Sequence, residues 1–211
     1  MNDVSVAVAR WLDDMFGGRL PNDPCEGTAF AAAVTWELAP KKARFPLLYC
    51  LPHSKRTRQL LDEHGIQFAL VERMVDFLVV EQKSQTKHTP LIACESEMND
   101  QGVSYSFDVG PSGPTEGYVW DFWKLLHFNA PHLLFIARVP SAESCIPMLE
   151  ITLNQCAGEY HDELWKGRQL SVVLLPTATR KPQPIRLGAG QPNGEIAFHD
   201  FEPPAAKATA S

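Results

Sequence analysis

One stretch constrains this chain more than any other: Thr89-Pro90-Leu91-Ile92-Ala93-Cys94-Glu95-Ser96-Glu97, an apolar run that ends in two acids one residue apart. Its length and apolar content read as a β-strand. In a strand, side chains two positions apart point to the same face. Glu95 and Glu97 therefore fall side by side, on the face that also carries Leu91 and Ala93. Two adjacent carboxylates repel one another, and burial raises the cost. Such a pair needs a cation, a Lys or Arg, or a proton.

The preceding run, Met74-Val75-Asp76-Phe77-Leu78-Val79-Val80-Glu81, reads as a second strand, and the polar segment Gln82 to His88 reads as the turn between them. A hairpin folded about a midpoint between Gln85 and Thr86 pairs positions whose numbers sum to 171. Asp76 then lies opposite Glu95, with Cα atoms roughly 4.5 to 5.5 Å apart. Three carboxylates converge on one patch of an apolar sheet, and that cluster is the main functional clue.

The rest of the chain sets the frame. Its 211 residues suit one domain with an appendage, and a hydrophobic share of 45% is ordinary for a globular protein. No apolar run approaches the roughly 18 residues of a membrane helix, so no membrane partner is expected. Met1-Asn2-Asp3-Val4 lacks a secretory layout. Five cysteines, an odd number without a C-x-x-C pair, fit reduced thiols and a cytoplasmic location. The formal net charge of -6 gives no overall pull toward nucleic acid, though a local basic patch can still hold phosphate.

Helical spacing places helices over Val4 to Phe16, Thr28 to Leu38 with Thr28 as cap, Ser54 to His64, Tyr118 to Asn129 and Ser141 to Tyr160. Further strands are expected at Ile66 to Val71, His132 to Val139 and Leu170 to Leu175, the Ile66 strand beside the Asp76 strand, and Phe45 to Leu51 reads as a short strand or a buried extended segment. Asn99 to Glu116 reads as a long loop, a common place for function. Residues 1–176 then make one mixed α/β domain with its core motif in 66–139. Residues 177–211 form a Pro/Gly/Ala-rich extension with a hairpin over 184–201 and a disordered tail.

An acid on one hairpin strand, an acid-x-acid on the next, then a helix and a strand: this order resembles the PD-(D/E)XK nuclease-like superfamily over about Val71 to Val139. The resemblance implies a restriction endonuclease-like mixed β-sheet flanked by helices. It puts Asp76 at the motif's Asp and Glu95 at its following acid, and Glu97 stands where the family most often carries Lys. Some members move that Lys onto the next helix, where Lys124 is the candidate; a first-helix Glu is often added, here Glu37 or Glu63. The implied activity is phosphodiester hydrolysis of nucleic acid, with Asp76 and Glu95 holding Mg²⁺ or Mn²⁺, Glu97 binding a second metal or acting as base, and Lys124 orienting water or stabilising charge. Gly102 to Glu116 would border the substrate, and Lys55, Arg56 and Arg58 would contact phosphates. Many relatives act as dimers, so a homodimer belongs to the same expectation.

Blander readings stand beside these. The three acids could be solvated ends of strands, and Lys124 could pair with Asp121 three residues away on a helix surface. Trp120 and Trp123 read as core. The seven histidines show no metal-ligand spacing, and no nucleophile elbow, P-loop or dinucleotide fingerprint occurs. The alternatives to an enzyme are a catalytically silent module of the same fold and a structural or oligomerisation protein.

Overall fold

The computed structural model describes residues 3–202, apart from 42, 44–45, 53, 72, 85–86, 99–117, 141–144 and 178–182. The long glycine- and proline-containing segment after Glu97 and the final tail lie outside the described residues. In chain order come α1 (Val4–Phe16), α2 (Pro24–Glu37), β1 (Pro46–Cys50), α3 (Lys55–Glu63), β2 (Phe68–Leu70), β3 (Phe77–Gln82) and β4 (His88–Glu97). There follow α4 (Tyr118–Leu126), β5 (His132–Val139), α5 (Cys145–Glu159), a π-helical turn (His161–Trp165), β6 (Gln169–Pro176), β7 (Ile185–Gly190) and β8 (Ile196–Phe201). The eight strands form one mixed sheet, ordered β2-β1-β3-β4-β5-β6-β7-β8. Helices cover both faces, which is the α/β class that the pattern of elements implied.

Local chemistry explains most element ends. Asp3 caps α1 by accepting from the Ser5 N–H, and Gly17, at φ 61°, closes it in the left-handed region. Helix α2 begins at Pro24 rather than near Thr28, because Asp23 accepts from the Glu26 N–H and Pro24 occupies the first turn. Thr28 bonds back to the Pro24 carbonyl inside the helix instead of capping it. Ser54 caps the short, polar α3 by accepting from the Arg56 N–H at 3.1 Å. With nine residues, α3 depends on that cap. Ser54→Ala is expected to cost about 1 kcal/mol, read as a lower urea midpoint at unchanged slope.

The hairpin behaves as the symmetry argument requires at the end that matters. Phe77 faces Cys94, Leu78 faces Ala93 and Val79 faces Ile92. The register then slips, so that Val80 faces Pro90 and Leu91 is left as an extra residue. This β-bulge interrupts the alternation. Leu91 consequently packs with Ile92 and Cys94 on one face, not with Ala93 as strict alternation predicts.

Other pairings differ from expectation. Strand β2 does not join β3; it runs parallel to β1, Leu48 facing Phe68, after a crossover through α3. The β7–β8 hairpin turns at Gly194 (φ 90°) and continues the same sheet, β7 pairing antiparallel with β6. Strand β4 runs parallel to β5 and β5 to β6, with α4 and α5 as crossovers. All eight residues of β5 are buried, as a central strand covered on both faces requires.

The two cores lie on opposite faces. On one, Ala29 to Val34 of α2 and Leu12 of α1 pack over Leu48, Val79, Ile92, Cys94 and Ile136. On the other, Phe122 and Leu125 of α4 and Leu149 and Leu153 of α5 pack over Leu78, Ala93, Phe135 and Val172. Phe122 meets Phe135 edge-on at 5.4 Å between ring centroids. This seats α4 directly over the acid-bearing end of β4. No helix among the described residues is long and apolar enough to cross a membrane.

Candidate functional site

Asp76 sits one residue before β3, exposed to solvent. Its Oδ2 accepts from both the Ser96 N–H and the Ser96 hydroxyl, each at 2.9 Å. The acid is thus tied across the hairpin to the residue between Glu95 and Glu97. Extending the register of Phe77 and Cys94 by one places Asp76 level with Glu95.

Glu95 follows Ala93 on the α4 side of the sheet, and it is fully buried, at 0% exposure. Its β5 neighbour in register is Phe135. Lys124 reaches down from α4 and brings Nζ to 3.1 Å from Glu95 Oε1 and 3.2 Å from Asp121 Oδ1. The Asp121 contact is a hydrogen bond. The Glu95 contact is a charge contact whose angles miss hydrogen-bond geometry, and Oε2 has no donor. A buried carboxylate without donors is costly. Burial first, and the Asp76 and Asp121 charges with it, push the Glu95 carboxyl up to about 9, against the pull of Lys124. Burial also raises Asp121, again opposed by Lys124. The net effect of its two carboxylate neighbours is to raise Lys124 above the usual lysine value, although burial acts against them.

With Glu95 ionised, Asp76, Glu95 and Asp121 against Lys124 carry a formal charge of two negatives, and a divalent cation that displaces the Glu95 proton has the charge to balance it. Carboxylate oxygens are the donors that hard ions such as Mg²⁺ prefer. Asp76 keeps Oδ1 without a donor among the described residues, and Glu95 keeps Oε2. No three His, Cys, Asp or Glu side chains among the described residues are already gathered around one ion position.

Glu97 is placed by the end of β4. It lines a cleft of about 660 Å³ at the end of the sheet, together with Asp76, Ser96 and Met98. The opposite wall comes from the first turns of α2 and α3, through Cys25, Ser54 and Thr57. Arg73, whose guanidinium lies 5.1 Å from the Tyr49 ring centroid, also lines it. The cleft and the Glu95–Lys124 contact are joined through Asp76 and Ser96.

Neither first-helix Glu reaches this region. Glu37 ends α2, about 18 Å along the axis from Cys25, and binds Arg10 at 2.7 Å. Glu63 accepts from the Gln59 amide at 2.8 Å on an exposed face. The α2 acid nearest the cleft is Glu26. Arg19 first, then the Asn22 N–H and Arg56, hold it down at about 2 despite its burial. Arg56 is thereby spent on Glu26 and Asp23, and Arg58 donates to the Pro52 carbonyl.

The expected i, i+3 pair of Lys124 with Asp121 forms, at 3.2 Å, but partly buried and beside Glu95 rather than on an open helix surface. One feature escaped the sequence reading. Trp120 is not core: it is 48% exposed and stacks on Trp123 at 4.9 Å. Tyr118, Phe122, Leu125 and Leu126 are the buried side of α4, so Trp120 falls on its outer side. Searches of protein-family models, curated proteins and solved structures find no match to this chain.

Proposed function

We propose that the chain is a divalent-cation-dependent phosphodiesterase acting on nucleic acid, with a restriction endonuclease-like core. The observation that carries the reading is Glu95: a fully buried carboxylate with an undonated oxygen, level with Asp76 and beside a single ammonium. The order α2-β1-α3-β2-β3-β4-α4-β5, in which β1, β3 and β4 pair antiparallel and β4 then pairs parallel with β5, supports the same family resemblance. In this reading Asp76 and Glu95 hold Mg²⁺ or Mn²⁺, with Glu97 facing the substrate cleft. The bound ion supplies an acidified water and neutralises charge on the phosphodiester. Ser96 fixes the Asp76 carboxylate, and Lys124 donates to the developing negative oxygen. The apolar side of α4 excludes bulk water from Glu95 and strengthens both effects. A cytoplasmic homodimer completes the proposal.

A second reading has its own support. Lys124 already stands 3.1 Å from Glu95, as it would in a silent module whose ammonium replaces the ion. Titration of the purified chain with Mn²⁺ in a calorimeter, followed by incubation with labelled single- and double-stranded DNA and RNA, separates the two. The enzyme binds Mn²⁺ and cleaves at least one substrate only in its presence. A chain that neither binds Mn²⁺ nor cleaves is the silent module.

A further inference from the structure

Lys124 has two carboxylate neighbours of different kinds. Its contact with Glu95, at 3.1 Å, lacks hydrogen-bond angles, whereas its contact with Asp121, at 3.2 Å, is a hydrogen bond within α4. Asp121 is also no ordinary surface partner, since its side chain is 20% exposed and that of Lys124 is 29% exposed. We propose that Asp121 is a positioning residue that keeps the Lys124 ammonium in the site once a divalent cation takes Glu95. This rests on the cation-binding reading above.

A cation on Glu95 occupies the carboxyl that Lys124 faces at 3.1 Å and puts a positive charge near the ammonium. Like charges in a partly buried site repel strongly. The ammonium sits on a flexible four-carbon stem and is free to swing toward solvent. Asp121 shares the helix with it and lies three residues away, so its pull does not depend on what binds to β4. A charged hydrogen bond of this kind favours one rotamer over the rest by about tenfold or more.

The test uses the full chain and Mn²⁺ as probe. Lys124 acetylation by an activated ester is followed by peptide mass spectrometry, with and without saturating Mn²⁺, in wild type, Asp121→Asn and Asp121→Glu. In wild type, Mn²⁺ is expected to change the Lys124 rate by less than about twofold. In Asp121→Asn, Mn²⁺ is expected to raise it by about tenfold or more, the loss of one charged hydrogen bond, and Asp121→Glu is expected to restore the wild-type response. A residue that merely stabilises α4 would raise labelling equally with and without the ion. If Asp121→Asn does not fold, Asp121→Ser carries the same expectation. A wild-type response in the folded variant overturns the role of Asp121 alone. Absence of Mn²⁺ binding in wild type overturns the cation reading and this proposal together.

Discussion

Glu95→Gln is expected to make the cation-free protein more stable at alkaline pH and to abolish its response to Mg²⁺ or Mn²⁺. The folded chain holds the Glu95 proton up to about 9, whereas the unfolded chain releases it in the ordinary carboxylate range. Between those limits the native state binds the extra proton, so stability is highest at the acid end and falls as pH rises. One proton gives at most about 1.4 kcal/mol per pH unit. The acid side is complicated by His132, whose burial pushes it down to about 4 and makes the fold lose stability below the usual histidine range. Above about pH 8.5 the buried thiols of Cys50 and Cys156, held up at about 12, begin to contribute. The window from pH 7 to 8.5 therefore isolates Glu95. Urea unfolding across that window should slope downward in wild type and lie flat in Glu95→Gln. Equal slopes in the two proteins would mean that Glu95 is not held protonated.

Asp76→Ala is expected to weaken Mn²⁺ binding, and cleavage with it, by at least about 100-fold, since even outer-shell partners of a metal are worth 10- to 100-fold. The structural loss is smaller. Asp76 is exposed, and removing its two hydrogen bonds to Ser96 should cost only about 1–2 kcal/mol. Asp76→Asn keeps an acceptor for Ser96 but loses the charge, so it should recover the stability and not the binding. Calorimetry at one pH reads both variants, and unchanged Mn²⁺ affinity in both would remove Asp76 from the site.

The parts of this site that could be read from sequence are those set by local periodicity and by symmetry about a turn. The Phe77–Cys94 pairing followed from counting outward from Gln85 and Thr86, and Lys124 from its place on the helix after the acids. The bulge at Leu91 was not legible, because alternation alone does not register an unpaired residue. The start of α2 was legible in Asp23-Pro24, a cap followed by a proline at the first position, which is a stronger start signal than Thr28. Contacts between distant elements left no local trace. The Glu26 pairing with Arg19 and Arg56 joins two helices and a loop, and the β1–β2 pairing depends on a crossover through α3. The exposure of Trp120 depends on which stripe of α4 the sheet selects, and an all-round apolar helix does not announce that.

The extra residue at position 91 has a further effect. It divides the hairpin into an outer half, nearest the tip, and an inner half whose phase is fixed by Phe77, Leu78 and Val79 against Cys94, Ala93 and Ile92. A change in length at the tip can then be absorbed where the ladder is already broken, before it reaches the acids. The outer half is free to drift in sequence and size while Glu95 keeps facing α4.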